Sequence, residues 1–161
     1  MSKSYSDYLL SSQQLPRAPC DGTLHCTFAL AKSDDEKRLV FGWASVAERV
    51  DGETVVDWQD DIVEIDELEA AAYDFVQFYR EGSDMHERGG FDIAVLIESV
   101  VFTAAKLEAL GIPAGTVPHG WWIGMKCIDD DVWARVKDGT YSMLSIEGNA
   151  IRTQAESEVN D

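Results

Sequence analysis

The stretch "FDIAVLIESVVFT", residues 91–103, decides between a helical and a sheet-based fold. Its density of Val and Ile suits a buried strand, or two strands with a bend, because branched and aromatic side chains pack well on a pleated surface. Outward from it, "TAAKLEALGIP" (103–113) predicts a short helix capped by Thr103, ended by Gly111 and blocked from continuing by Pro113. "GWWIGMKC" (120–127) predicts another strand, and its aromatic pair reads as core in preference to a peptide groove. "DDDVWARVKDG" (129–139) predicts a second capped helix, with acids at its start, Lys137 near its end and Gly139 past it. "TYSMLSIEGNAIR" (140–152) closes as a strand carrying Ser142 and Ser145.

Upstream, "LHCTFALA" (24–31) and "RLVFGWASVA" (38–47) predict two strands separated by the polar turn "KSDDEK". Asp51–Gly52 is a hairpin signal that returns the chain through a third strand, "ETVVDW". In "DELEAAAYDFVQFYREG" (66–82) the apolar positions recur at helical spacing, with Asp66 as cap, Glu69 completing a capping box and Gly82 closing the end. Early hairpins with short helices between later strands imply an α+β domain, mainly antiparallel, as a small β-barrel with short helices packed outside. No dinucleotide fingerprint, P-loop or internal repeat is present.

At 161 residues the chain holds one domain. Residues 1–22 read as a loose lead-in, 23–152 as the domain and 153–161 as a polar tail. Thirteen Lys and Arg against 30 Asp and Glu leave a formal charge of −17, which opposes binding to nucleic acid or to an anionic membrane and is explained by a solvated or salt-adapted surface. No apolar run approaches the ~20 residues that cross a bilayer, and the N-terminus lacks the pattern of a secretory signal, so a soluble, intracellular protein is expected. Cys20, Cys26 and Cys127 cannot all pair within one chain, and "CDGTLHC" lacks the four ligands of a structural zinc site. The acidic segment "DWQDDIVEIDELE" (57–69) fits no EF-hand spacing, so no metal or other cofactor is expected.

Three histidines are available for chemistry near neutral pH. His25 lies in an apolar strand pattern and His119 follows Pro118 in a turn, whereas His86, in "SDMHERGG" (83–90), occupies a polar, Gly-flanked segment where a ring can face a cleft. Ser145 stands in an apolar stretch, "MLSIEGNA", where a serine commonly bonds to backbone, and no G-x-S-x-G elbow exists. Glu98 interrupts the apolar run, where burial of a carboxylate demands a partner: His86, Arg88 or backbone. Glu87 and Glu147 adjoin the candidate pair, but strand neighbours point to opposite faces.

Several blocks in order, "GWASV" (42–46), D-x-Q-x-D (57–61), Met85-His86-Glu87, "GWWIGMK" (120–126) and "KDGTYSMLSIEG" (137–148), resemble the XkdF family of phage serine proteases over about residues 32–152. The resemblance implies a herpesvirus-protease-like fold related to prohead maturation proteases. It further implies a serine peptidase acting in the host cytoplasm, within the procapsid, on phage scaffold or capsid proteins and on itself, as a monomer or a homo-oligomer. The family's His-before-Ser order falls on His86 as general base and then acid, and on Ser145 as nucleophile, with backbone N–H groups for the oxyanion. Either Glu98 then serves as third member, or the His86–Ser145 dyad suffices, or the domain is incomplete or inactive. The chain departs from its relatives by carrying Glu147 before Gly148 where glycines are common, and by having a polar tail where related proteases often place the third member on a later strand beyond the serine. The alternative expectation is a non-enzymatic capsid-assembly or scaffold-binding module that keeps the fold.

Overall fold

The computed structural model describes residues 30, 32–34, 37–57, 60–146 and 153. Among these described residues five strands form one antiparallel sheet in the order β1-β2-β5-β4-β3. They are β1 (Lys32–Asp34), β2 (Leu39–Glu48), β3 (Glu81–Asp84), β4 (Arg88–Phe102) and β5 (His119–Cys127). Three α-helices accompany them: α1 (Ile65–Asp74), α2 (Ala104–Ala109) and α3 (Asp130–Lys137). Residues 91–102 of that stretch are therefore strand, as their β-branched content demands, Thr103 caps the next helix, and the fold class is α+β. The sheet curls into a half-barrel where the sequence predicts a small barrel, and among the described residues β1 and β3 are its two ends.

Bulges produce the curl. Register shifts fall between Trp43 and Ser45 and between Val46 and Glu48 on β2, and between Leu96 and Glu98 on β4. Each extra residue bends its strand and strengthens the local twist. Ala44 and Ala47, the residues skipped on β2, are both buried, since a small side chain fits the inside of such a bend.

β5, the middle strand, is covered on both faces. Trp121, Ile123, Met125 and Cys127 point with the two-residue period of a strand into one core, shared with Leu68 and Ala72 of α1 and Val132 and Trp133 of α3. Trp122 points the other way, into a second core with Trp43, Val46, Leu107 of α2 and Val117. Both tryptophans of "GWWIG" are thus core residues, and the Trp121 indole N–H donates to Ser99 Oγ at 2.9 Å. β4 pairs with β5 from Ala94 to Phe102 and, nearer its start, with β3.

Helix ends follow the predicted chemistry in two of three cases. Thr103 Oγ1 accepts from Lys106 N at 3.3 Å, and Gly111 beyond α2 has φ +70°. Asp129 Oδ1 accepts from Asp131 N and Val132 N, both at 2.9 Å, and Gly139 past α3 has φ +82°. For α1 the expected cap and stop are both displaced. Glu64 takes the N-cap position, and Asp66 lies in the first turn. Glu69 forms no capping box; it accepts from Lys106 Nζ of α2. The helix widens into a π-turn, Phe75–Tyr79, and Arg80 ends it in the left-handed region at φ +61°, its N–H bonded to Phe75 O. Gly82 belongs to β3, where a Cβ would come within 2.7 Å of Ala94 Cβ, so packing and not helix termination requires glycine there.

Other expectations shift more. The hairpin at Asp51–Gly52 forms, with Gly52 at φ +82° and Arg49 N bonded to Glu53 O, but "ETVVDW" contributes only the isolated bridges Glu48↔Thr54 and Val56↔Ile62. "KSDDEK" is partly strand, because Lys32–Asp34 pair with Leu39–Phe41. His119 opens β5 and its Nδ1 lies 3.3 Å from Glu48 Oε1. The expected strand at 140–152 is an irregular strap through 146, and 147–152 lie outside the described residues. The strand expected at 24–31, together with His25, Cys20 and Cys26, likewise falls outside them apart from residue 30.

Candidate active site

β3 and β4 form a hairpin whose turn carries His86. Asp84 pairs with Arg88 across it, and Glu87 N donates to Asp84 O at 3.0 Å. Met85 and His86, the central turn residues, have φ +52° and +60°. Two successive left-handed residues make the tight reversal that matches strand twist, a role usually filled by Asn-Gly or Asp-Gly. Placing Met and His there costs on the order of 1 kcal/mol each. The conformation projects the imidazole beyond the end of the sheet, exposed to solvent.

The strap that follows α3 returns to this turn. Tyr141 and Leu144 pack against the larger core, and Leu30 N donates to Ser142 O at 2.8 Å. Ser145, exposed beyond Leu144, places its Oγ 2.8 Å from His86 Nε2, so the fold joins two residues 59 positions apart. In the tautomer with its proton on Nδ1, Nε2 accepts from the serine hydroxyl, the arrangement an activated nucleophile needs. Ser83 Oγ lies 3.5 Å from His86 Nδ1, which is long for a hydrogen bond but sets a hydroxyl on the ring's other side.

Glu98 does not join them. Glu81 pairs with Val95 and the hairpin then runs back toward Arg88, so Glu98 lies beyond Val95, on the side of the ladder away from the turn. It is exposed and paired in register with Gly124. The bulge between Leu96 and Glu98 turns the carboxylate toward solvent, which removes the burial cost that suggested a partner. Arg88, the other partner considered, instead meets Asp129 at 2.9 Å and Asp84 at 3.8 Å. Glu147 and Gly148 lie outside the described residues.

Sequence reading missed the groups that surround the pair. The Asp84 carboxylate accepts from the Tyr141 hydroxyl and, at 3.3–3.4 Å, from Arg135 of α3. Arg135 also donates to Tyr141 Oη at 2.6 Å and stacks its guanidinium 5.4 Å from that ring. The hydrogen bond to Tyr141, then the Tyr141 and Asp84 charges, hold the Arg135 pKa above its ordinary value. Capping of Val132 N, followed by the bond from Arg88, holds the Asp129 carboxyl below its ordinary range. Asp84 is two residues before His86, and its acid in a "SD" strand end was the only available signal. Cys127 is a buried thiol whose pKa is pushed up by burial, so it is no competing nucleophile. Among the described residues no group of three or more His, Cys, Asp or Glu side chains is arranged to hold a metal ion, and no helix is long and apolar enough to cross a membrane.

Comparison with known proteins agrees with the blocks noted in the sequence. The chain is 30% identical over 122 residues to "Uncharacterized protein YqbD" of Bacillus subtilis (strain 168), covering 75% of this chain and 34% of that one. It therefore spans about a third of that relative's length. No solved structure gives a significant match. The family model described as "Putative phage serine protease XkdF" matches residues 27–154. With most of its length inside that match, the chain belongs to the XkdF family.

Proposed function

We propose that the chain is a serine endopeptidase of phage or provirus capsid maturation, cutting scaffold or capsid proteins, and itself, inside the procapsid. One observation carries the reading: Ser145 Oγ stands 2.8 Å from His86 Nε2 on solvent-exposed segments brought together from distant parts of the chain. As Ser145 Oγ bonds to the scissile carbonyl carbon, His86 Nε2 takes the hydroxyl proton. Collapse of the tetrahedral intermediate breaks the C–N bond, and the imidazolium returns that proton to the leaving amine. Water, deprotonated by the same imidazole, then hydrolyses the ester and regenerates Ser145. Glu98 has no part in this scheme; Ser145 Oγ stands at His86 Nε2 and the Ser83 hydroxyl lies near Nδ1.

Co-expression with phage scaffold and capsid proteins tests the assignment. Ser145→Ala and His86→Ala each should abolish cleavage while leaving the unfolding midpoint near the parent's, and a fluorophosphonate probe should label Ser145 only in chains that retain His86. An unchanged cleavage pattern in Ser145→Ala removes the proposal. Intact head assembly with His86→Ala, and no cleavage by the parent, establishes the assembly-module reading instead.

A further inference from the structure

His86 and Ser145 both sit on short irregular segments, a turn and a strap, which by themselves do not hold two side chains to the few tenths of an ångström that proton transfer requires. One side chain connects the two segments. Asp84 closes the turn through its carbonyl, which accepts from Glu87 N, while its carboxylate, only 16% exposed, accepts from Tyr141, four residues before Ser145. Arg135 bonds to both partners of that contact, and Tyr141 N donates to Arg135 O at 2.9 Å. Arg88, at the far end of the turn, reaches Asp129 at the start of α3. The turn, the strap and both ends of α3 are thereby tied at one carboxylate and its neighbours.

We infer that Asp84 is a positioning residue for the His86–Ser145 pair, acting through the Tyr141 hydroxyl and the Arg135 guanidinium to fix the strap against the turn. Its carboxylate is bonded to Tyr141 and Arg135, and through them it sets where Ser145 stands. The inference rests on the peptidase reading for its catalytic consequence, but the coupling of the two segments can be measured without catalysis.

The experiment follows the His86 ring signals by NMR, with and without Ser145→Ala, in the parent chain and in Asp84→Ala and Tyr141→Phe backgrounds. In the parent, Ser145→Ala should shift the ring signals. In Asp84→Ala the shift should vanish, and fluorophosphonate labelling of Ser145 should slow by about 10²-fold, while the core Trp indole signals remain native. Tyr141→Phe, which leaves the carboxylate and its ion pair in place, should reduce both readouts in the same direction and keeps the test open should Asp84→Ala fail to fold. A full ring response and parent-like labelling in both variants overturn the inference. A parent with the ring response but no labelling overturns the peptidase reading and leaves the positioning role standing; a parent with no ring response overturns both.

Discussion

Met85 is the residue at which the site's local cost is most visible. It is 68% exposed and held at φ +52°, so its side chain offsets little of the left-handed penalty. Met85→Gly should therefore stabilise the chain by about 1 kcal/mol in urea unfolding, with His86 keeping its own unfavourable φ. The opposite sign applies at Gly82. A methyl there meets Ala94 Cβ at 2.7 Å and Met125 Cε at 3.1 Å, and only the methionine end can give way. Gly82→Ala should cost about 1–3 kcal/mol and, by displacing β3, slow labelling of Ser145 as well. His86 and Ser145 stand out through the family resemblance of their blocks, because taken alone a serine flanked by large apolar residues reads as a hydroxyl bonded to backbone. The left-handed turn could not be read in the sequence, since neither Met nor His signals positive φ. Glu98 was misplaced because an acid in an apolar run looks buried until a bulge is seen to turn it outward.

Among the elements, α1 and α2 are joined by a three-membered cluster. Lys106 Nζ lies 2.5 Å from Glu69 Oε1 and 2.8 Å from Tyr73 Oη, and the tyrosine hydroxyl donates to Glu69 at 2.7 Å. The bond from Lys106, then that from Tyr73, lowers the Glu69 pKa from its ordinary 4.5. A carboxyl depressed in the folded state stabilises fully above its unfolded pKa and loses that contribution as pH falls through the folded one. Stability should thus decline below pH 4.5 in part through Glu69, and Lys106→Met should flatten that portion of the curve in urea titrations at stepped pH. Capping at Thr103 and Asp129 could be anticipated from sequence because it depends on neighbours within one turn. The end of α1 could not: Phe75 turns edge-on to Trp121 at 5.4 Å, and the π-turn with Arg80 at its close accommodates that contact.

At the level of the molecule the surplus of acids governs behaviour. Ion pairs engage Arg38, Arg49, Arg88, Lys106 and Arg135, yet a formal charge of −17 leaves many carboxylates without a cation. Raising NaCl from about 0.1 to 1 M shortens the screening length from ~10 to ~3 Å and should raise the unfolding midpoint, by relieving repulsion that exceeds the attraction it also screens. A midpoint that falls with salt would show the pairs to dominate.

Composition and periodicity by themselves determined the α+β class, the strand character of the apolar run after residue 91, the strand at 120–127 with its core aromatic pair, the caps of two helices and the acidic exterior. Each follows from side-chain preference or from spacing within a few residues. Only the tertiary structure decided that the sheet stops at a half-barrel, that Glu98 faces water, and that Asp84 and Tyr141 bind the segments bearing His86 and Ser145. Those outcomes depend on bulge positions and on contacts between residues 57 and 59 places apart, and the free energy of such contacts exists only once packing has brought the partners together.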